Sequence, residues 1–370
     1  MSSISDIAER TAAAVGHDVA VNPTRLQSVV GRWLMFSDYG AAARRHMVIV
    51  WSCALACALA DAVRLPNSRL SFASSNWTDL LQGVGCCVLA GAFVAVASSR
   101  LRSDAGRPAI VLRTTLLVTE LLWRAVLPIG ALLAAGCTLS YLITSANLPL
   151  QDALLARVDR DLGFDWLQFL DTATSSPFLA ALLTRAYQTI GPVTVLVVVW
   201  LAVNRRGERL AEFIAILSLS TVALCVGMWL VPAAGAFGHY RPAPQLAENF
   251  SALGDLGSLL QVFIMLRDGS LSEIDLSALH GIVSFPSFHT MLGVMTIYAL
   301  CDTRWLMIPV LLLNGAMIVS TLPVGGHHLI DVFAGAGLTF GAILLVRTHA
   351  KRDRTVLQQD QAVSACRYPI

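Results

Sequence analysis

The chain has 370 residues, of which 56% are hydrophobic and only 14% charged, against roughly 25% charged in ordinary soluble domains. With a mean hydropathy of +0.66, this composition excludes a disordered chain and argues against a soluble globular enzyme, leaving a polytopic membrane protein. Lys plus Arg number 26 against 24 Asp plus Glu, a net charge of +2, so no global field draws nucleic acid and none is expected as a partner.

The N-terminal segment 1–46 is mixed and polar, and no cleavable signal peptide is evident. Apolar runs of near bilayer length then predict eight spans at about 47–65, 79–98, 122–143, 181–203, 211–234, 286–301, 304–322 and 326–346. Seven of the eight cysteines lie in or at the ends of these runs and read as small packing residues; no zinc-like spacing appears. Arginine clusters orient the array by charge bias. Arg44 and Arg45, the group Arg100, Arg102, Arg107 and Arg113, the group Arg205, Arg206 and Arg209, and the set Arg347, Lys351, Arg352 and Arg354 fall on one side. That side, with both termini, is expected to be cytoplasmic. Arg64 and Arg69 lie opposite and count weakly against this. Segment 104–121 reads either as an interfacial helix or as part of a longer third span. The stretch 144–180, with Asp152, Asp159, Asp161, Asp165 and Asp171 among apolar residues, predicts amphipathic helix at the interface, and 235–285 is a second outer connection. The expected division is segment 1–46, an accessory hairpin 47–103, a six-span unit 104–346 with interfacial helices, and a cytoplasmic tail 347–370.

Three polar segments sit where helices begin or end on the same predicted face. They are Gly238-His239-Tyr240-Arg241-Pro242, Ser284-Phe285-Pro286-Ser287-Phe288-His289-Thr290 and Gly325-Gly326-His327-His328-Leu329-Ile330-Asp331. His327 and Asp331 are four apart, which on a helix places them on one face. A carboxylate there holds the imidazole in one tautomer, and an imidazole so held can be a nucleophile. His289 follows Pro286 and Ser287, a helix-start pattern whose free amides favour an anion. A second histidine beside that anion can act as general acid. Arg241 can fork onto phosphate oxygens, and Gly325 and Gly326 let backbone approach a ligand. The set points to phosphoryl transfer through a phosphohistidine, with no metal or cofactor expected because arginine and helix amides supply the positive charge.

This set resembles the type 2 phosphatidic acid phosphatase superfamily. Pro-Ser-Phe-His ending at His289 is similar to its second signature, His327-x-x-x-Asp331 to its third, and Arg241-Pro242 to the end of its first. The resemblance covers roughly 120–346. It implies an all-α polytopic membrane bundle of about eight spans with a six-helix phosphatase-like core. It also implies His327 as nucleophile, Asp331 as its partner, His289 as acid and later base, and Arg241 and Ser287 at the phosphate. His239, Tyr240, Thr321 and Gly326 complete the candidate substrate-binding set. Two cations of the ordinary signatures are absent: Ala234 stands seven positions before Arg241, and Thr321 six before His327. Arg267, His239, His280 and His328 are the candidate replacements. The Phe-Pro-Ser-x-His form resembles the inositol phosphorylceramide synthase branch, which keeps a lipid phosphotransferase with an alcohol or ceramide-like acceptor beside a lipid phosphatase. The expected substrate is a lipid phosphomonoester or diphosphate. The expected location is the inner (plasma) membrane, with the site on the periplasmic or outer side.

Plainer readings exist for each residue. Arg241 can be an interfacial anchor, Ser287 a helix cap, and His239 and Tyr240 belt residues. His328 projects about 100 degrees from His327 on a helix, which suits packing or indirect support. Glu120 and Arg124 can pair within the membrane.

Overall fold

The computed structural model describes residues 34–100, 107–242, 253–278 and 281–367. The first 33 residues and His280 lie outside the described residues. The described chain is helical apart from one pair of two-residue strands. In order, α1 is Gly40–Arg64, β1 Ser71–Phe72, α2 Ser74–Arg100, α3 Arg107–Ser145, α4 Asp152–Asp161, α5 Trp166–Thr174, α6 Pro177–Gln188, α7 Ile190–Val203, α8 Gly207–Leu230, α9 Gly235–Tyr240, α10 Leu253–Asp268, β2 Glu273–Ile274, α11 Phe288–Leu300, α12 Arg304–Ser320 and α13 Leu329–Arg367.

Among the described residues, six helical stretches are long and apolar enough to cross a membrane: Ser37–Asn67, Ser74–Val94, Val111–Ser145, Pro177–Val203, Gly207–Tyr240 and Leu329–Thr348. The chain is an integral membrane protein. The other two expected spans correspond to shorter apolar helices, α11 and α12. α11 begins only at Phe288 because Pro286 has no amide to donate and Ser287 caps the helix from extended backbone. Segment 104–121 resolves to the second of its two readings, since a single helix runs from Arg107 to Ser145. The stretch 144–180 is divided: α4 and α5 are separate short helices, and a third, α6, opens at Pro177.

α8 is the hub. It packs against α1, α3, α7, α11 and α13, and its residues Leu210 to Leu217 supply much of the main core with Met47 and Val50 of α1, Leu121 and Leu132 of α3, Met291 and Met295 of α11, and Ile343 of α13. Its buried hydroxyls donate back along the helix, Ser218 to the Ile214 carbonyl at 2.8 Å and Thr221 to that of Leu217 at 2.9 Å, which satisfies them where no water is present. α2 packs on α3, α6 on α12, and α4 on both α9 and α13. β1 pairs in parallel with β2. Asn76 reinforces this pairing, donating to the Ile274 carbonyl at 2.7 Å and accepting from the Leu276 amide at 2.8 Å. The loop of the first hairpin is therefore fixed to the chain just before α11. The seven described cysteines are all free thiols.

Candidate active site

The second and third polar segments meet through backbone. Ser287 donates its amide to the Asp331 carbonyl at 3.1 Å. A Cβ on Gly335, one turn further along α13, would stand 2.5 Å from the Ser287 carbonyl oxygen, so only glycine permits this approach. Ser287 is fully buried. Its hydroxyl accepts from the Thr290 amide at 3.4 Å and the Thr290 hydroxyl at 3.1 Å, holding the first turn that carries His289. The His289 ring stacks on Tyr187 of α6, with centroids 4.3 Å apart and planes 18° from parallel. The field of His327 reaches His289. A Cβ on Gly325 would lie 3.0 Å from both His327 Cδ2 and Tyr187 Cε2, so Tyr187 borders both imidazoles. Tyr187 drew no notice in the sequence, where a lone tyrosine in an apolar run has no periodic signal.

His327 and Asp331 come together by a different route from the one their spacing predicted. α13 starts at Leu329, so His327 precedes the helix and the helical i,i+4 argument does not apply. Gly326 takes a φ of +65° and the His327 amide donates to the Thr321 carbonyl at 3.3 Å, folding the chain so that His327 Nδ1 lies 3.4 Å from Asp331 Oδ2. That same oxygen accepts the His328 amide at 2.8 Å, half of a capping box at the start of α13. Asp331 is fully buried and His327 nearly so. The other Asp331 oxygen has no hydrogen-bond partner.

The amides at the start of α13 are already occupied from within the protein. The Leu329 and Ile330 amides donate to Asp159 at 2.9 and 3.0 Å, so a carboxylate of α4 already satisfies them. Asp152, seven residues earlier on the same face of α4, accepts the Ala234 and Gly235 amides at 3.0 and 2.8 Å. His328 is fully buried between the two, its Nδ1 3.3 Å from Asp159 and its Nε2 3.6 Å from Asp152. Burial disfavours the His328 cation, but the contacts with Asp152 and Asp159 outweigh it and raise the imidazole to about 9. The sequence reading placed these aspartates in an interfacial helix and missed that they clamp the site; only the seven-residue spacing on one helix face hinted at a shared target.

The remaining candidates are less intimate. His239 is exposed, with its ring 6.0 Å from that of His328, and Tyr240 stacks on Trp166 at 5.6 Å. Arg241 is exposed in a left-handed conformation, φ 46°, at the end of α9, and among the described residues it has no ion pair. Thr321 is buried with its hydroxyl donated to the Ile318 carbonyl at 2.7 Å, so its backbone carbonyl, not its side chain, serves the site. Gly326 contributes a carbonyl that accepts the Phe237 amide at 3.3 Å. Arg267 and Ser284 line one small cavity and Ser284, Gly325 and Gly326 another. Among the described residues no group of three or more His, Cys, Asp and Glu is arranged to hold a metal ion.

A buried His–Asp contact, a second histidine at a capped helix start and an integral membrane bundle agree with the outcome of comparison with known families. A family model described as PAP2 superfamily matches residues 153–345. The chain belongs to the PAP2 superfamily. The matched region begins in α4, one residue past Asp152, and ends in α13, and so takes in Asp159 of the clamp and both histidine segments. Membership carries phosphatase-type chemistry, hydrolysis or phosphotransfer. Neither the curated proteins nor the solved structures give a match to the chain.

Proposed function

We propose that the protein is a membrane lipid phosphatase that hydrolyses a lipid phosphomonoester or diphosphate through a phosphohistidine. The observation that carries this reading is His327 held by buried Asp331 at 3.4 Å beside His289 on its Tyr187 support. With Nδ1 committed to the carboxylate, Nε2 carries the free lone pair. Nε2 attacks phosphorus and the bond from phosphorus to the lipid oxygen breaks. His289 gives that oxygen its proton, and the phosphate dianion alongside favours the protonated imidazole needed for this. Water then attacks phosphorus, His289 takes its proton, the P–N bond breaks and inorganic phosphate leaves. Asp331 stabilises the His327 cation as it forms.

Arg241 would reach the phosphate from the end of α9, and the Ser287 cap fixes the approach of His289. No metal takes part in this scheme, because the histidine pair supplies nucleophile and acid while arginine supplies charge. The substrate is amphiphilic, since the site lies where spans end and headgroups gather. The arginine-rich opposite end favours a site on the outer face of the inner membrane with both termini cytoplasmic. The test is phosphate release by the purified protein from a panel of lipid monophosphates and isoprenyl diphosphates, with acid-quenched turnover probed for an acid-labile phosphoenzyme. Release of phosphate together with a phosphoenzyme absent from His327→Ala supports the reading. Turnover with no such intermediate under single-turnover conditions overturns it.

A further inference from the structure

Three arginines at the same end of the bundle as the histidines face a cavity that the proposed chemistry does not use. Arg64 closes α1, Arg69 lies in the loop before β1, and Arg267 sits in the last turn of α10. With Asn67, Ser145 and Asn147 they line a cavity of about 490 Å³ that no carboxylate borders. Two of these arginines end helices, where a cation complements the dipole. That explains each position singly, but not why all three converge on one polar space. Among the described residues none of the three has an ion pair; Arg267 donates to the Leu148 carbonyl at 2.8 Å. Asp152, whose field reaches Arg267, is committed to two amides and His328. Asp61, one turn before Arg64, lines neither this cavity nor the groove beside it. The convergence is built in. The β1–β2 pairing ties the Arg69 loop to the chain that follows α10, and Arg69 packs over Gly269, where an added Cβ would meet its Nη1 at 3.0 Å.

Arg64 belongs at once to a second, apolar groove of about 350 Å³ on the membrane face of α1, α3 and α8. Cys57, Ala60, Leu139, Val222, Cys225 and Trp229 form its walls, and the Arg64 guanidinium lies 4.0 Å over the Trp229 ring. From Val222 to Leu230 the groove runs about 12 Å along α8 at the helical rise, most of the roughly 15 Å from interface to bilayer centre. A like-charged arginine cluster wants an anion, and a groove that opens to lipid and is topped by one of those arginines wants a hydrocarbon chain.

We propose that this paired cavity and groove binds an anionic phospholipid, with its phosphate among Arg64, Arg69 and Arg267 and one acyl chain along Trp229. The site is separate from the histidine pair and stands whether or not the phosphatase assignment does. It gives α1 a ligand-binding role beyond packing.

The test uses the full chain in phosphatidylcholine nanodiscs and the fluorescence of Trp229, isolated by subtracting the Trp229→Phe variant. Phosphatidylglycerol with brominated acyl chains is expected to quench Trp229 at a mole fraction many-fold below that needed for brominated phosphatidylcholine. Arg64→Gln and Arg69→Gln should each reduce that preference roughly five-fold, the effect of one arginine near an anionic headgroup. His327→Ala should leave it unchanged, and unbrominated phosphatidylglycerol, but not inorganic phosphate, should relieve the quenching. Equal quenching by the two headgroups overturns the proposal, and because that comparison uses the unaltered arginines it stands even if a variant fails to fold. Loss of the preference in His327→Ala would assign it to the histidine site and also overturn it. Relief by inorganic phosphate alone would make the site one for a soluble anion, and the lipid would be wrong.

Discussion

The two ends of the helix bundle both bury charge, but they pair it differently. At the end where α7 meets α8, arginines face carboxylates. Arg209 donates to Glu212 at 2.6 Å and to the Tyr298 carbonyl at 2.6 Å, and Tyr298 donates to Glu212 at 2.7 Å. Nearby, Arg124 joins Glu120 and Asp38. At the opposite end the buried carboxylates Asp152, Asp159 and Asp331 face histidines and helix amides, while Arg64, Arg69, Arg241 and Arg267 have no carboxylate partner among the described residues. Arginine does not release its proton in a protein, so the first arrangement fixes helices and little else. Histidine exchanges protons near neutrality, and unpaired arginines wait for an anion. The contrast separates the end that holds the bundle from the end where we propose that phosphate binds.

The sharpest way to break this contrast is at His327. His327→Ala is expected to lower phosphate release by a factor on the order of a thousand or more, with the melting temperature in detergent close to the parent. Turnover within ten-fold of the parent would remove chemistry from that end. At the opposite end, Arg209→Met takes the guanidinium from the half-buried Glu212, which keeps the Tyr298 hydroxyl as a donor, and should cost about 3 kcal/mol of stability; measured per folded molecule, turnover should hold. A large fall in turnover of the folded fraction would erase the distinction between the ends.

The His328 clamp gives a pH signature that the arginine end lacks. Its folded imidazole titrates at about 9 against an ordinary value of 6.5. The cation is thus favoured in the folded state, and its contribution is complete below about pH 6.5 and lost as pH rises through about 9. The loss is on the order of 3 kcal/mol, read as a falling melting temperature across that window. His328→Asn should flatten the profile; an unchanged slope in that variant would assign it elsewhere. The smallest effect separates a simple cap from the clamp. Asp165 accepts the Gln168 amide at 3.1 Å at the start of α5 and touches no histidine, so Asp165→Ala should cost about 1 kcal/mol and leave the pH slope intact. A changed slope would mean the clamp extends beyond α4.

The sequence made the helical bundle legible, because apolar runs of bilayer length are hard to disguise. It also singled out His289, His327 and Asp331 as candidates, though it misjudged the reason for the last contact: Gly326 and the Thr321 carbonyl turn His327 toward Asp331 ahead of the helix. What stayed hidden was tertiary. Asp159 caps α13 from 170 residues away, and at sequence level its carboxylate is indistinguishable from those on a wet helix face. Tyr187 meets His289 only after α6 and α11 have packed, and the need for glycine at position 335 appears only once Ser287 lies against it. Local pattern registers which residues are unusual; it does not register what a distant segment brings to them.

The cap on α13 also bears on how the protein is made. Chain synthesis delivers α4 long before α13, so the last apolar helix arrives with two unpaired amides that Asp159 can accept at once. Its N-terminal turn need not wait for water, a partner subunit or a ligand to settle. Nascent chains halted before His328 would hold Asp152 and Asp159 without that histidine between them, and its burial marks the moment when the candidate site closes.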